Sequence, residues 1–198
     1  MVETTTTAIT QALGVLVGAF GYHVTKNPIK KAKKKRAAKK AKRTKPFTMY
    51  DSVDPTKLPH GAEAYASYVN YDGVNEFENL VRDFGEGKHH YLSITNDASF
   101  NAAILDLENG AAQPFQAPGW YARQKARGQW RPGFYGGEED LAEAEALLKA
   151  ADIERSAYRT ILAAWPGDGA VVTPGYDGHQ YATNEAYDTS ILLPDFFG

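Results

Sequence analysis

The chain has 198 residues and a formal net charge of −2, which leaves room for one sizeable core and an appendage. It contains no cysteine, which excludes disulfides and thiolate zinc sites. The small net charge is the sum of two opposite charges. Residues 1–46 contain twelve basic residues and one acid (+11), whereas residues 47–198 contain ten basic residues and 23 acids (−13). The two parts are therefore expected to face different surroundings.

The first 25 residues form an apolar segment that we predict to anchor or dock the chain. Residues 8–24 are predominantly apolar, but about 20 such residues are needed to span a bilayer, so the run is short. The only charged residue before it is Glu3, whereas a secretory signal carries Lys or Arg there, so no signal peptide is predicted. Two alternatives stay open: a membrane anchor, and a small-residue helix that docks on another protein or on itself.

Residues 26–46 form a lysine-rich linker that ends at Pro46. Such a run binds phosphates without sequence preference and with strong salt dependence. It has no aromatic residue to stack on bases, and the −13 charge of the residues that follow would repel a nucleic acid. We therefore favour an electrostatic tether to an anionic surface, either a membrane or a nucleic acid, over a protein whose function is to bind nucleic acid. The expected docking partner of the N-terminal segment is a virion protein or a membrane.

After Pro46, short apolar or aromatic runs alternate with helical and turn segments. This alternation of strands and helices predicts a parallel sheet with crossover helices. A (β/α) barrel normally takes about 250 residues, so residues 47–198 predict a compact α/β TIM-like barrel in which some helices are short or missing. The clearest predicted helices cover 74–84 and 138–151. The predicted strands are Phe47–Val53, Tyr65–Tyr71, His89–Thr95, Ala102–Leu107, Pro132–Tyr135, Thr160–Trp165 and Gly178–Ala182.

Two carboxylates, Asp106 and Glu108, end the apolar run that begins at Ala102. Parallel barrels place their chemistry at the carboxyl ends of the strands. Burial of an acid is costly unless it has a partner or a function, so the pair is a candidate for catalysis. The alternative is that one carboxylate caps a loop and the other is solvated. Acidic and aromatic residues also end most other predicted strands, a composition suited to sugar rings.

Several short motifs in residues 47–198 together resemble a known family. They are Met49-Tyr-Asp-Ser52 with Asp54-Pro55, Asp106-x-Glu108, Gly133-Phe-Tyr135, Ala163-Ala-Trp165, and His179-Gln-Tyr181 with Tyr187-Asp188. Their order and spacing resemble the family 25 glycoside hydrolases, which are lysozyme-like muramidases. They resemble still more the glycoside-hydrolase-like barrel domains of actinobacteria and their phages. The resemblance covers most of residues 47–198 and none of residues 1–46.

The resemblance implies action on a peptidoglycan-type glycan and assigns roles to four acids. Glu108 is the expected general acid, with a pKa raised by the charges of Asp51 and Asp106. Asp106 would orient the reacting group or stabilise positive charge at the anomeric carbon, while Asp51 and Asp188 would hold water and substrate. The side chains expected to line the saccharide groove are Tyr50, Tyr68, Tyr135, Trp165, Gln180 and Tyr181.

Two functions stay open from the sequence. One is a phage-encoded muramidase-like enzyme, and the other is a catalytically silent barrel displayed on a virion or the host-cell envelope through residues 1–46. Access to Glu108 separates them, because a loop such as Asn109–Gly119 could close the groove. We predict no cofactor and no metal, since the histidines show no ligand spacing. The alternative is a hard cation bound by the clustered acids.

Overall fold

Eight strands close into a barrel in chain order in the computed structural model, which describes residues 44–164 and 169–198. All neighbouring pairs from β1 to β7 are parallel. The compact α/β barrel expected from the sequence is therefore confirmed. The strands are β1 (Phe47–Asp51), β2 (Ala64–Tyr68), β3 (His90–Thr95), β4 (Ile104–Asp106), β5 (Gly133–Gly136), β6 (Arg159–Ala163), β7 (Gly178–Thr183) and β8 (Asp188–Leu192).

The last strand, β8, departs from the expected all-parallel order. It is not among the predicted strands, and it runs antiparallel to both β7 and β1. Only residues 184–187 connect it to β7, and so short a connection has no room for the crossover that a parallel pair requires. The side chain of Asn184 closes the turn, because its Oδ1 atom accepts hydrogen bonds from the backbone N–H groups of Ala186 and Tyr187 at 2.8 and 3.0 Å. The hairpin brings the first residue of β8 to the end of the barrel where the other strands finish.

Three α-helices lie between strands in the described part of the chain: α1 (Glu76–Phe84), α2 (Ala117–Ala126) and α3 (Glu138–Ala150). The sequence predicts α1 and α3 from their apolar stripes, and both agree with the structure to within two residues at each end. It does not predict α2, whose buried side includes the polar Gln124 beside Trp120. The fully described connection from β3 to β4 contains no helix, in keeping with the compact barrel.

The core has two parts, one inside the barrel and one between the strands and the outer helices. Inside, one buried cluster contains Met49, Ile104, Ile161 and Leu192. Gly178 is required there, because an added Cβ would lie 2.6 Å from Leu192 Cδ2 and 3.1 Å from Ile161 Cγ1. This apolar layer separates the two ends of the barrel.

Residues 1–43 lie outside the described residues, and with them the predicted anchor 1–25 and nearly all of the predicted linker 26–46. Trp165, one of the expected groove residues, lies outside them as well. Within the described ranges, no helix is both long and apolar enough to cross a membrane.

Candidate active site

The four predicted acids meet at the C-terminal end of the barrel. Asp51 is the last residue of β1 and pairs with Asp188, the first residue of β8. Asp106 is the last residue of β4, and Glu108 follows two residues later in the loop. Side chains two residues apart on a strand share a face, so Asp51 and Asp106 follow the buried Met49 and Ile104 into the barrel interior.

Asp106 is fixed by two hydrogen bonds. The hydroxyl of Tyr68 donates to Asp106 Oδ2 at 2.9 Å, and the backbone N–H of Glu108 donates to Asp106 Oδ1 at 2.8 Å. Burial raises the pKa of Asp106, and these two donors oppose that rise by stabilising the carboxylate. The second bond also fixes the backbone of Glu108, so the two acids are positioned as a unit.

Glu108 has the properties of a proton donor that works near neutrality. Its side chain is half-buried, and the loop that follows, beginning with the exposed Asn109 and Gly110, leaves it partly open to solvent. Burial raises the pKa of Glu108 to about 7, with further contributions from the charges of Asp106, Asp188 and Asp140. The expected charge contribution of Asp51 is not among these causes; Asp188 and Asp140 take its place.

Asp51 is the most deeply buried of the four acids, with 4% of its surface exposed. Its Oδ1 atom has no hydrogen-bond partner among the described residues. Burial, followed by the charges of Asp188, Glu108 and Asp106, raises its pKa well above the usual range of an aspartate. These surroundings favour the neutral form of the Asp51 carboxyl, in which it can donate a hydrogen bond.

A chain of hydrogen bonds orients Asp188. Tyr135 donates its hydroxyl proton to Gln180 Oε1. Burial raises the pKa of Asp188, and hydrogen bonds from the side chains of Thr183 and Gln180 oppose that rise without cancelling it. Because the amide of Gln180 accepts from one partner and donates to the other, the direction of the chain is defined.

The expected groove residues divide into two groups by strand register. Tyr68, Tyr135 and Gln180 are buried, and the hydrogen bonds described above join them to the carboxylate cluster. Tyr50 lies on the outer face of β1, where its ring centre is 5.1 Å from that of Tyr187. Tyr181 lies at a bulge in β7 and interacts with Tyr50 and Tyr187. The structure does not bring these last two predicted residues to the carboxylates.

Two residues at the site are absent from the sequence-based set. Asp140 is in the first turn of α3, and its charge acts on both Glu108 and Asp106. Thr183 is the last residue of β7. A helix that follows a barrel strand begins at the C-terminal end of the barrel. The Glu-Glu-Asp sequence after Gly137 could therefore have indicated from the sequence that Asp140 lies near the site.

The barrel is similar to a solved structure described as GHIP, a glycosyl hydrolase 25 of Streptococcus pneumoniae and a novel virulence factor that participates in host cell invasion. The two chains are 12% identical, with a TM-score of 0.50, and the match covers 81% of this chain and 92% of that one. No family model matches the chain, and no curated protein is significantly similar to it in sequence. The structural similarity confirms a fold like that of glycoside hydrolase family 25.

Proposed function

We propose that residues 47–198 form a glycoside hydrolase that cleaves a peptidoglycan-type aminosugar polymer. The observation that carries the proposal is the state of Glu108, a half-open carboxyl whose pKa is raised to about 7 beside the hydrogen-bonded Asp106. A general acid works best when its pKa lies near the operating pH, because it is then both protonated and able to give up the proton.

In this proposal Glu108 protonates the glycosidic oxygen as the bond to the anomeric carbon breaks. Asp106, held in place by Tyr68 and by the Glu108 N–H, faces the positive charge that develops at that carbon. A negative charge placed before the reaction begins stabilises the transition state without the cost of reorientation.

The other two acids act on the substrate side of the same end of the barrel. Neutral Asp51 donates a hydrogen bond to a substrate oxygen or to water, which would give its unpartnered Oδ1 atom a partner. Asp188, oriented by Gln180, accepts a hydrogen bond from a sugar hydroxyl or from water. Both roles suit a ligand that is rich in hydroxyl and amide groups.

Two observations support a glycan as the substrate class. The first is the fold, which is shared with a protein described as a glycosyl hydrolase 25. The second is the exposed ring of Tyr71, which lies 5.4 Å from that of Tyr68 and so continues the site towards the surface. A partly exposed aromatic ring next to carboxylates is a common platform for a sugar.

The test compares the full chain with its Glu108→Gln variant in the release of dye from labelled peptidoglycan between pH 4 and 8. We expect Glu108→Gln to release dye at least about 100-fold more slowly than the wild type, because general acid catalysis usually contributes that much to the rate. Glu139→Gln is the matched control, because Glu139 is exposed in the first turn of α3 and should retain full activity. A folded wild-type chain that releases no dye at any pH would overturn the proposal.

That outcome would favour the second candidate, a silent barrel displayed on a virion or on the host-cell envelope. Its motivation is the +11 charge of residues 1–46, which suits a tether to an anionic surface. It is tested by sedimentation of the inactive chain with intact peptidoglycan. Retention of the glycan without cleavage, also by a chain that lacks residues 1–46, supports a displayed glycan-binding barrel. Loss of retention in that shortened chain would contradict it, because the basic segment and not the barrel would then hold the glycan.

A further inference from the structure

The N-terminal end of the barrel, opposite the carboxylates, contains a cavity that the proposed hydrolysis does not use. Its volume is about 190 Å³. It reaches the surface at Trp130, whose side chain is 59% exposed. The residues that give it its chemical character are Leu92, Trp130, Arg131, Arg159, Phe196 and Phe197.

Arg159 is part of the floor of this cavity and is 2% exposed. It is the first residue of β6, and it shares the inner face of that strand with Ile161. Two of its nitrogens are already used, since Nε donates to the carbonyl of Phe196 at 3.0 Å and Nη2 to that of Asp195 at 2.8 Å. The guanidinium is therefore held rigidly against the last turn of the chain.

Two buried guanidinium nitrogens on cavity-lining side chains have no hydrogen-bond partner among the described residues. They are Arg159 Nη1 and Arg131 Nε. Arg159 Nη1 lies 3.6 Å from Asp177 Oδ1, an ion-pair distance too long for a hydrogen bond. Leaving a buried donor unsatisfied costs about 1–3 kcal/mol, so two on one cavity indicate a missing acceptor.

Asp177 is not free to be that acceptor. Its Oδ2 receives Arg155 Nη2 at 2.8 Å and the Thr160 N–H at 3.1 Å, and its Oδ1 receives Arg131 Nη2 at 3.4 Å. The nearest carboxylate is therefore shared among three arginines before any ligand arrives.

The charged side chains of the cavity belong to a wider network of ion pairs at this end of the barrel. Four cations face this end: the three arginines that contact Asp177, and Lys125, which donates to the Trp130 carbonyl at 2.7 Å. Three anions oppose them: Asp177, Glu145, which pairs with Arg155 Nε at 2.9 Å, and Asp195, whose charge acts on Arg131. Only Arg131 and Arg159 of this network line the cavity, and both are positively charged.

Apart from Gln129, whose amide donates to the Ala103 carbonyl at 2.8 Å, the rest of the lining is apolar and aromatic. The guanidinium carbons of Arg131 and Arg159 lie 5.8 and 5.5 Å from the Trp130 ring centre, so this indole already faces cations. Phe196 and Phe197 supply two more rings to the lining. A ligand that fits must carry a flat or branched apolar body next to its charged group.

We propose that this cavity binds a small organic carboxylate with an aromatic or branched apolar body. The carboxylate accepts hydrogen bonds from Arg159 and Arg131, and the body packs against Trp130 and the phenylalanine rings. The site is independent of the hydrolysis proposed for the other end of the barrel, so either proposal can fail without the other.

The probe is sodium benzoate, titrated into the full chain while the Trp130 indole N–H and the arginine side-chain N–H signals are followed by NMR. We expect saturable shifts at these signals with a dissociation constant of about 1 mM or below, since few atoms contribute to binding. Benzamide, which has the same shape without the charge, should bind at least tenfold more weakly. Shifts that do not saturate would mean that the cavity holds water only and would overturn the proposal, as would equal binding of benzamide.

Two variants locate the binding. Arg131→Lys keeps the charge but removes the planar donor group, so benzoate affinity should fall about tenfold or more. The matched control is Arg127→Lys, at an exposed position, which should leave the affinity unchanged. Trp130→Ala changes an exposed side chain that the fold does not need, so it keeps the test valid if Arg131→Lys fails to fold. Full benzoate affinity in a folded Trp130→Ala variant would overturn the site.

Discussion

The two ends of the barrel treat buried carboxylates in opposite ways. At the N-terminal end, Asp177 lies within 3.6 Å of three arginine side chains. At the C-terminal end, Asp51, Asp106, Glu108 and Asp188 form no ion pair with a lysine or arginine of the described ranges, and burial raises the pKa of each. The same functional group is paired with cations at one end, whereas at the other end it has no cationic partner among the described residues and burial favours its protonated form.

This difference separates residues that stabilise the fold from residues that are available for chemistry. A carboxylate paired with guanidinium groups is satisfied and holds strands and loops together. Acids crowded without cations raise one another's pKa and leave protons that can be transferred near neutral pH. Proteins accept such a loss of stability at functional sites, so removal of an acid should have opposite effects at the two ends.

The largest effect on stability is expected at the paired end. Asp177→Asn keeps the shape of the side chain but leaves three arginines without their shared anion, which should lower the free energy of unfolding by about 3–5 kcal/mol. Urea denaturation at pH 7 measures the change. Asp83→Asn is the control, because Asp83 pairs with the exposed Arg82 at the surface and its loss should leave the urea midpoint unchanged. Equal midpoints for Asp177→Asn and the wild type would contradict a structural role for the paired end.

A smaller loss is expected from the apolar layer between the two ends. Gly178→Ala places a methyl group 2.6 Å from Leu192 Cδ2, so the neighbours must move, and we expect a loss of about 1–3 kcal/mol in the free energy of unfolding. Gly119→Ala is the matched control, because a Cβ there meets nothing within 4 Å and α2 should gain stability. The two thermal midpoints should move in opposite directions. A stable Gly178→Ala variant would show that the layer is more loosely packed than the contacts indicate.

The sequence predicts the barrel well because its information is local. Each apolar run ended by polar residues marks a strand, and the stripes of α1 and α3 mark helices. The prediction fails at β8, since Asp188–Leu192 is polar at its start and is recognisable as a strand only through its pairing with β1. It fails at α2 because the polar Gln124 occupies a buried position of the helix. An apolar residue there would have completed an apolar stripe.

At the candidate site, the sequence indicates which strand ends carry acids but not how their surroundings differ. Because side chains alternate along a strand, Tyr50 and Asp51 must lie on opposite faces of β1. The sequence alone could therefore have shown that Tyr50 does not line the site. The direction of the hydrogen bonds around Asp106 and the contribution of Asp140 to the pKa of Glu108 depend on contacts across the barrel. Such contacts have no local signal.

The opposite effect is expected at the unpaired end. The raised pKa of Asp51 means that the folded chain holds a proton that the unfolded chain releases above about pH 4. Asp51 therefore destabilises the fold more as the pH rises. Because asparagine binds no proton, Asp51→Asn should raise the free energy of unfolding by roughly 1 kcal/mol at pH 8. The gain should shrink towards pH 4. Urea midpoints at pH 4, 6 and 8 measure it, and a loss at pH 8 as large as that of Asp177→Asn would break the comparison between the two ends.

The smallest effect tests the proton donor itself. Asp140 adds negative charge near Glu108, so Asp140→Asn should lower the Glu108 pKa from about 7 by a fraction of a unit. The carboxyl carbon shift of Glu108, followed by NMR against pH, reports this without any need for turnover. A lower pKa means less protonated acid at pH 7, so the alkaline limb of the peptidoglycan assay should move down by the same amount. Glu139→Gln changes the charge one position away and should leave the titration in place, since Glu139 is not among the causes of the shift. An unchanged titration in Asp140→Asn would mean that burial and the acids on the strands alone set the proton affinity, and that α3 contributes to this end only through packing.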